Sequence, residues 1–181
     1  MIFFLQGIHT HRQKDKMRTV PEKSSLQITL VLDRLRSAFN TGNIFRLAEG
    51  TAVKEILCCS YTPSPPHPRL EKTAKGTDKT VPFRTFEKTL SAVRTLKKEG
   101  VHVVAVEAVE EAPFVWDYPF TFPLALVLGN EALGVAEEVL NECDGVVRLP
   151  MLGAKSSVNV ANCAAAVLYN ILEHYQYRKD S

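Results

Sequence analysis

The sequence predicts an α/β domain built on a mostly parallel sheet covered on both faces. Short runs of continuous aliphatic residues, such as Gln27-Ile-Thr-Leu-Val-Leu32 and Leu124-Ala-Leu-Val-Leu128, alternate with stretches whose apolar residues recur at helical spacing. A strand that is apolar at every position is buried on both sides, and parallel strands joined by helices bury it that way. The length of 181 residues gives one domain with a sizeable core. We place it at residues 25–178, behind a basic tail at 1–24.

Residues 27–32 form the first strand. Ile44, Leu47 and Ala48 then recur at helical spacing, with Asn40 or Thr41 available to cap the start and Gly50 to end the helix. Glu55-Ile-Leu-Cys-Cys59 reads as the second strand. The next segment, Tyr61-Thr-Pro-Ser-Pro-Pro-His-Pro68, holds four prolines, which remove donors and fix φ, so a rigid loop is expected. Residues 85–99 read as one amphipathic helix with Phe86, Leu90, Val93 and Leu96 inward and Gly100 behind it. Residues 101–106 are a third strand. A loop rich in proline and aromatics, 110–123, leads to the strand at 124–128 and the turn Gly129-Asn-Glu-Ala-Leu-Gly134. A short helix from about Ala136, a strand at 145–149, a loop at 150–157 and a closing helix from Asn159 to about Gln176 complete the chain.

Composition narrows the function. Net charge is +2, but residues 66–98 carry nine Lys/Arg against three acids, whereas 99–142 carry nine acids and no Lys/Arg. One stretch can face a polyanion and the other cannot. The tail segment 9–23 adds five bases against two acids, and such arms often lie along phosphate backbones. The four cysteines, Cys58, Cys59, Cys143 and Cys163, show neither a disulfide framework nor zinc spacing, which fits a reducing, cytoplasmic setting. The histidines show no metal-ligand spacing either, and no metal is expected. Residues 1–8 lack a basic leader and fall short of the roughly 20 residues of a membrane span. No G-x-G-x-x-G follows the first strand, and Val135 stands where a phosphate loop needs lysine, so dinucleotide binding and triphosphate hydrolysis are both disfavoured.

In open parallel sheets, ligands sit beyond the carboxyl ends of strands. Three such ends carry small and polar residues: Asn40-Thr-Gly-Asn-Ile-Phe-Arg46, Gly129-Asn-Glu131, and Pro150-Met-Leu-Gly-Ala-Lys-Ser-Ser-Val-Asn159. With these motifs in this order, the sequence resembles the SpoU (TrmH) family of SPOUT methyltransferases from about Leu26 to Tyr175. Their signatures are N-x-G-x-x-x-R, L-x-x-G-N-E-x-x-G and I-P-M-x-G-x-x-x-S-L-N. The proline segment followed by Lys72-Thr-Ala-Lys-Gly76 also looks like a bacterial subgroup. One departure is Ser157-Val-Asn159 where S-L-N is usual, which keeps an apolar wall.

The resemblance implies a deep trefoil knot in the C-terminal part, about residues 124–176, which is an exception to unthreaded chains. It also implies a homodimer and S-adenosylmethionine as cofactor. The implied reaction is metal-free methylation of a ribose 2′-hydroxyl in structured RNA, tRNA or rRNA. Arg46 matches the catalytic arginine. A guanidinium stays protonated in proteins, so its expected role is to stabilise developing oxyanion charge and grip the adjacent phosphate, with the proton leaving to phosphate or water. Asn40 is expected to position Arg46 and the nucleotide, and Glu131 to order the second motif and the catalytic surface. Ser157 and Asn159 would combine helix capping with contacts to cofactor or substrate. Leu128, Gly129, Asn130, Leu149, Met151, Ser157 and Val158 are the expected cofactor pocket.

Arg69, Lys72, Lys75, Lys79 and Arg84 surround the glycine-containing loop at 73–80 and are the expected RNA contacts, read through phosphates and shape more than bases. His102, between Val101 and Val103 on a strand, reads as a core or face residue. Two other classes account for part of the sequence. A degenerate binding protein of the same fold is opposed by the intact Asn40, Arg46, Glu131 and Asn159. A flavodoxin-like domain without RNA is opposed by the basic segment.

Overall fold

The computed structural model describes residues 26–177. It has one parallel sheet of six strands: β1 (Ile28–Asp33), β2 (Glu55–Cys59), β3 (Phe83–Phe86), β4 (His102–Val106), β5 (Leu124–Leu128) and β6 (Gly145–Val147). Their order across the sheet is β3-β2-β1-β5-β4-β6, and every neighbouring pair is parallel. The helices are α1 (Ala38–Gly50), α2 (Pro68–Ala74), α3 (Thr89–Lys98), α4 (Glu137–Leu140) and α5 (Val160–Leu172).

Alternation along each strand divides the core in two. Leu30, Leu32, Ile56, Leu126 and Leu128 point to the face covered by α1, α2 and α5, while Val31, Leu57, Ala105 and Val127 point to the face covered by α3 and α4. Leu126, in a strand paired on both sides, is 1% exposed. Burying such a side chain contributes about 1.5–3 kcal/mol. The chain winds outward one way through β1, β2 and β3, then crosses to β4 and fills the gap with β5. The carboxyl ends of β1 and β5 therefore flank the point where the winding reverses, which is where such sheets open a crevice.

Several local expectations change. Residues 85–99 are not one helix: Phe83–Phe86 pairs with β2 in the register Ile56↔Phe83 to Cys59↔Phe86, and α3 begins only at Thr89. Phe86 is in phase with Leu90 and Val93, which mimics a helical stripe, although it belongs to a partly exposed edge strand. Helix α1 starts at Ala38 because Ser37 is extended (φ −91°, ψ 109°) and its Oγ accepts from the Asn40 N–H, so Asn40 and Thr41 lie inside the first turn. Behind the proline-rich loop, Pro68 opens α2 at a position that needs no N–H, with His67 as its cap. The 73–80 loop therefore becomes the end of α2, a left-handed pair at Lys75 and Gly76, and a 3-10 turn at Thr77–Lys79. The strand read as 145–149 ends at Val147, and the closing helix widens after Leu172.

Gly42 has a packing reason. A Cβ there would overlap the Thr73 hydroxyl and the Leu70 carbonyl of α2, so the glycine lets α1 and α2 touch through their backbones. Gly42→Ala should cost about 1–3 kcal/mol through overpacking and lower Tm by roughly 2–10 °C. An unchanged thermal melt would contradict this contact.

Candidate active site

Three turns meet at the carboxyl edge of the sheet. The turn after β1 ends in Ser37, the cap of α1. The Glu131 carboxylate, from the turn after β5, accepts from the Arg36 N–H at 2.9 Å and the Ser37 N–H at 3.1 Å. It also accepts from Asn40 Nδ2 at 2.9 Å. The Asn40 side-chain Oδ1 in turn accepts from Asn159 Nδ2 at 3.0 Å, and Asn159 Oδ1 caps α5 by accepting from the Ala161 N–H at 2.9 Å. One carboxylate and two amides thus bridge all three turns. Partial burial raises the Glu131 pKa, but the hydrogen bonds from Arg36, from the Asn40 side chain and from the backbone at 131 and 37 outweigh it and hold the group below its ordinary value.

The β5 turn folds tightly on itself. A Cβ on Gly129 would overlap the backbone of Gly134 and Val135, and Gly134 has φ +67°. Their glycine spacing therefore serves the turn, not a phosphate. Beside it opens a cleft of about 590 Å³, in the range of small-molecule sites. Leu128, Leu149, Met151 and Val158 give it apolar walls, while Gly129, Asn130, Ser157 and Asn159 lie along it.

The sequence model of the SpoU rRNA Methylase family matches residues 27–169. The chain belongs to this family. It is 29% identical over 160 residues to the tRNA (guanosine(18)-2′-O)-methyltransferase of Thermus thermophilus, covering 88% of this chain and 81% of that protein. It is 29% identical over 142 residues to the 23S rRNA (guanosine-2′-O-)-methyltransferase RlmB of Vibrio parahaemolyticus, covering 78% of this chain and 57% of that one. Among solved structures, the SpoU methyltransferase AviRb from Streptomyces viridochromogenes, in complex with AdoMet, superposes with a TM-score of 0.74 at 25% identity. That alignment covers 82% of this chain and 57% of the AviRb chain.

Within this SpoU fold the residues singled out from sequence have distinct places. Those expected to hold a cofactor all line the cleft, but the side chain of Asn130 turns inward. It is buried, its Oδ1 accepts from the Ala132 and Leu133 N–H groups, and its Nδ2 donates to the Arg34 carbonyl and to Tyr61. Its backbone N–H and carbonyl both pair with Gly134, so its polar atoms are engaged in shaping the turn. Arg46 is not on the cleft. It stands on the exposed side of α1, six residues past Asn40, about 9 Å along the helix axis. Among the described residues it has no ion-pair partner.

Arg69, Lys72, Lys75 and Lys79 are exposed on α2 and the turn behind it. Arg84 leaves this group: as part of β3 it donates Nε and a terminal N–H to Glu55 at 2.7 and 2.8 Å. His102, at the opposite end of the sheet, pairs with the Tyr118 hydroxyl at 3.0 Å. Burial pushes the Cys58 and Cys59 thiols up to about 12, which removes them from thiolate chemistry. Among the described residues no group of three metal-binding side chains occurs.

Sequence reasoning missed two acids. Asp33, fully buried, accepts from Arg34, from the Thr89 hydroxyl at 2.5 Å and from the Ala136 N–H at 3.0 Å, tying the starts of α3 and α4 to β1. Glu107, just past β4, accepts from the Val135 N–H at 2.7 Å and lines the cleft. A carboxylate closing or directly following an apolar run was the available signal for both.

The lowered Glu131 pKa fixes the sign of a pH effect. Stability from such a group is present above the unfolded value of about 4.3 and is lost as pH falls through the lower folded value. Wild type should therefore exceed Glu131→Gln in urea-unfolding stability at neutral pH, and the gap should close toward about pH 3. A gap independent of pH would show that the charge is not what holds the turns.

Proposed function

We propose that the protein transfers the methyl group of S-adenosylmethionine to a ribose 2′-hydroxyl of structured RNA, tRNA or rRNA. The observation that carries this reading is the Glu131–Asn40–Asn159 bridge, which brings three remote motifs to the rim of one cleft. The residues fit the cofactor: apolar walls for the base, tight turns rich in backbone groups, and carboxylates at the edge. Bound there, S-adenosylmethionine supplies an electrophilic methyl on sulfonium. The chain's part is to present the hydroxyl in line with that methyl, so that the O–C bond forms as the S–C bond breaks and the hydroxyl proton leaves to phosphate or water. Arg46, with no acid holding it among the described residues, is suited to stabilise the developing oxygen charge.

Arg46 shares its face of α1 with the exposed Phe39 and Asn43, at helical spacing. Helix α5 packs beside α1 and exposes Tyr169. We assign this paired face to a homodimer contact, which sets Arg46 against the partner; a monomer in sedimentation at micromolar concentration would overturn it. Arg69, Lys72, Lys75 and Lys79 form an RNA surface on the adjoining α2, and the basic tail, outside the described residues, belongs to the same role. The single domain at 25–178 is completed in this reading by a trefoil knot. Its supports are the insertion of β5 between β1 and β4, the placement of β6 beyond β4, and the return of α5 to α1.

Calorimetric titration of S-adenosylmethionine, followed by labelled-methyl transfer to total tRNA and to rRNA, tests the reading; absence of binding would overturn it. Arg46→Ala should lower transfer by roughly 10²–10³-fold, the usual loss for one oxyanion donor, with cofactor affinity unchanged. Equal loss of both would make Arg46 a structural residue.

A further inference from the structure

Glu107 is a cleft carboxylate to which the reaction above gives no specific role. Its backbone is fixed, because its N–H donates to the Val147 carbonyl at 3.0 Å and continues the β4–β6 ladder. Its carboxylate is fixed as well: Oε2 accepts from the Val135 N–H at 2.7 Å and Oε1 from the Ala108 N–H at 3.0 Å. Gly134 makes the room, since a Cβ there would run into this carboxylate. Cys163 of α5 also lines the cleft, and its thiol is pushed up to about 11 by burial and by the Glu107 charge.

An ionised carboxylate has about four acceptor positions, so two backbone donors leave half of them unfilled. In a half-buried cleft wall, those free positions favour a ligand that brings hydrogen-bond donors. The other carboxylate on the cleft, Glu131, already holds three donors from the α1 side. The walls formed by Leu128, Leu149, Met151 and Val158 offer side chains suited to a flat base. A ligand that places a vicinal diol next to such a base matches both features, and an acid just past a strand is a general means of holding a nucleoside ribose.

We propose that Glu107 recognises the cofactor's ribose, its carboxylate accepting hydrogen bonds from the 2′- and 3′-hydroxyls. This rests on the reading of the cleft as the S-adenosylmethionine site. It adds a selection rule: a nucleoside with a free diol is accepted, and one phosphorylated on the ribose is repelled by the carboxylate.

The test is a calorimetric cycle with S-adenosylhomocysteine and its 2′,3′-dideoxyribose analogue, on wild-type protein and Glu107→Gln. Wild type should bind S-adenosylhomocysteine at least about tenfold more tightly than the analogue, as expected for hydrogen bonds to a charged acceptor. Glu107→Gln should lose about tenfold toward S-adenosylhomocysteine and nothing toward the analogue. Equal weakening toward both ligands would make Glu107 a scaffold for the β5 turn and overturn the proposal. So would a wild-type protein that does not distinguish the two, while leaving the cleft assignment intact. Binding of neither ligand to wild type would overturn the cleft assignment and the proposal together.

Discussion

The active edge of this molecule depends on a single carboxylate. Glu131 lies 91 residues beyond Asn40 along the chain, yet it gathers the two N–H groups ahead of α1 and the side chain of Asn40. Hydrogen bonds to an ionised acceptor are stronger than neutral ones, so this anchor carries more than its number of contacts suggests. Asn40 extends the anchor because an amide has two ends: it donates to Glu131 and accepts from Asn159. Asn159 is itself the cap of α5. The start of the last helix is thus set by a residue in the first.

The central sheet was legible because its strands leave no ambiguity of period. Strands β1, β4 and β5 are apolar on both faces, and a short run of that kind bounded by turn residues has few alternatives. Legibility fell where burial is one-sided. Strand β3 has four residues, none fully buried, and its Phe86 falls in phase with α3. Helix α2 has seven residues, only Leu70 and Ala74 of them buried, and starts inside a proline-rich segment, so no apolar stripe announces it. At the site, the motif residues Asn40, Glu131 and Asn159 were legible by resemblance, but their linkage was not, since it needs distances between turns. Asn130 shows the converse: an amide beside a strand end reads as a ligand contact, while the fold uses its side chain and its main chain to build the turn. Arg84 looked like part of a basic patch until the register of β3 placed it on Glu55.

Charge is arranged on the same plan. The basic residues of α2 adjoin α1, the helix that carries Asn40 and Arg46, whereas the acids of residues 99–142 belong to β4, β5 and the segments around them. Exposed positive charge on α2 and the turn behind it is thus separated along the chain from the acidic stretch. Glu107 and Glu131 lie on the acidic segment but are held by backbone and amide donors, so their charge is partly answered within the fold.

The most direct measurement is to locate the methyl group. A methyl on a ribose 2′-oxygen removes the nucleophile that cleaves the neighbouring phosphodiester in alkali. RNA labelled by this protein with methyl-labelled S-adenosylmethionine and then hydrolysed in alkali should therefore carry the label in resistant dinucleotides. Label recovered in mononucleotides would place the methyl on a base and contradict a site built to present a ribose hydroxyl.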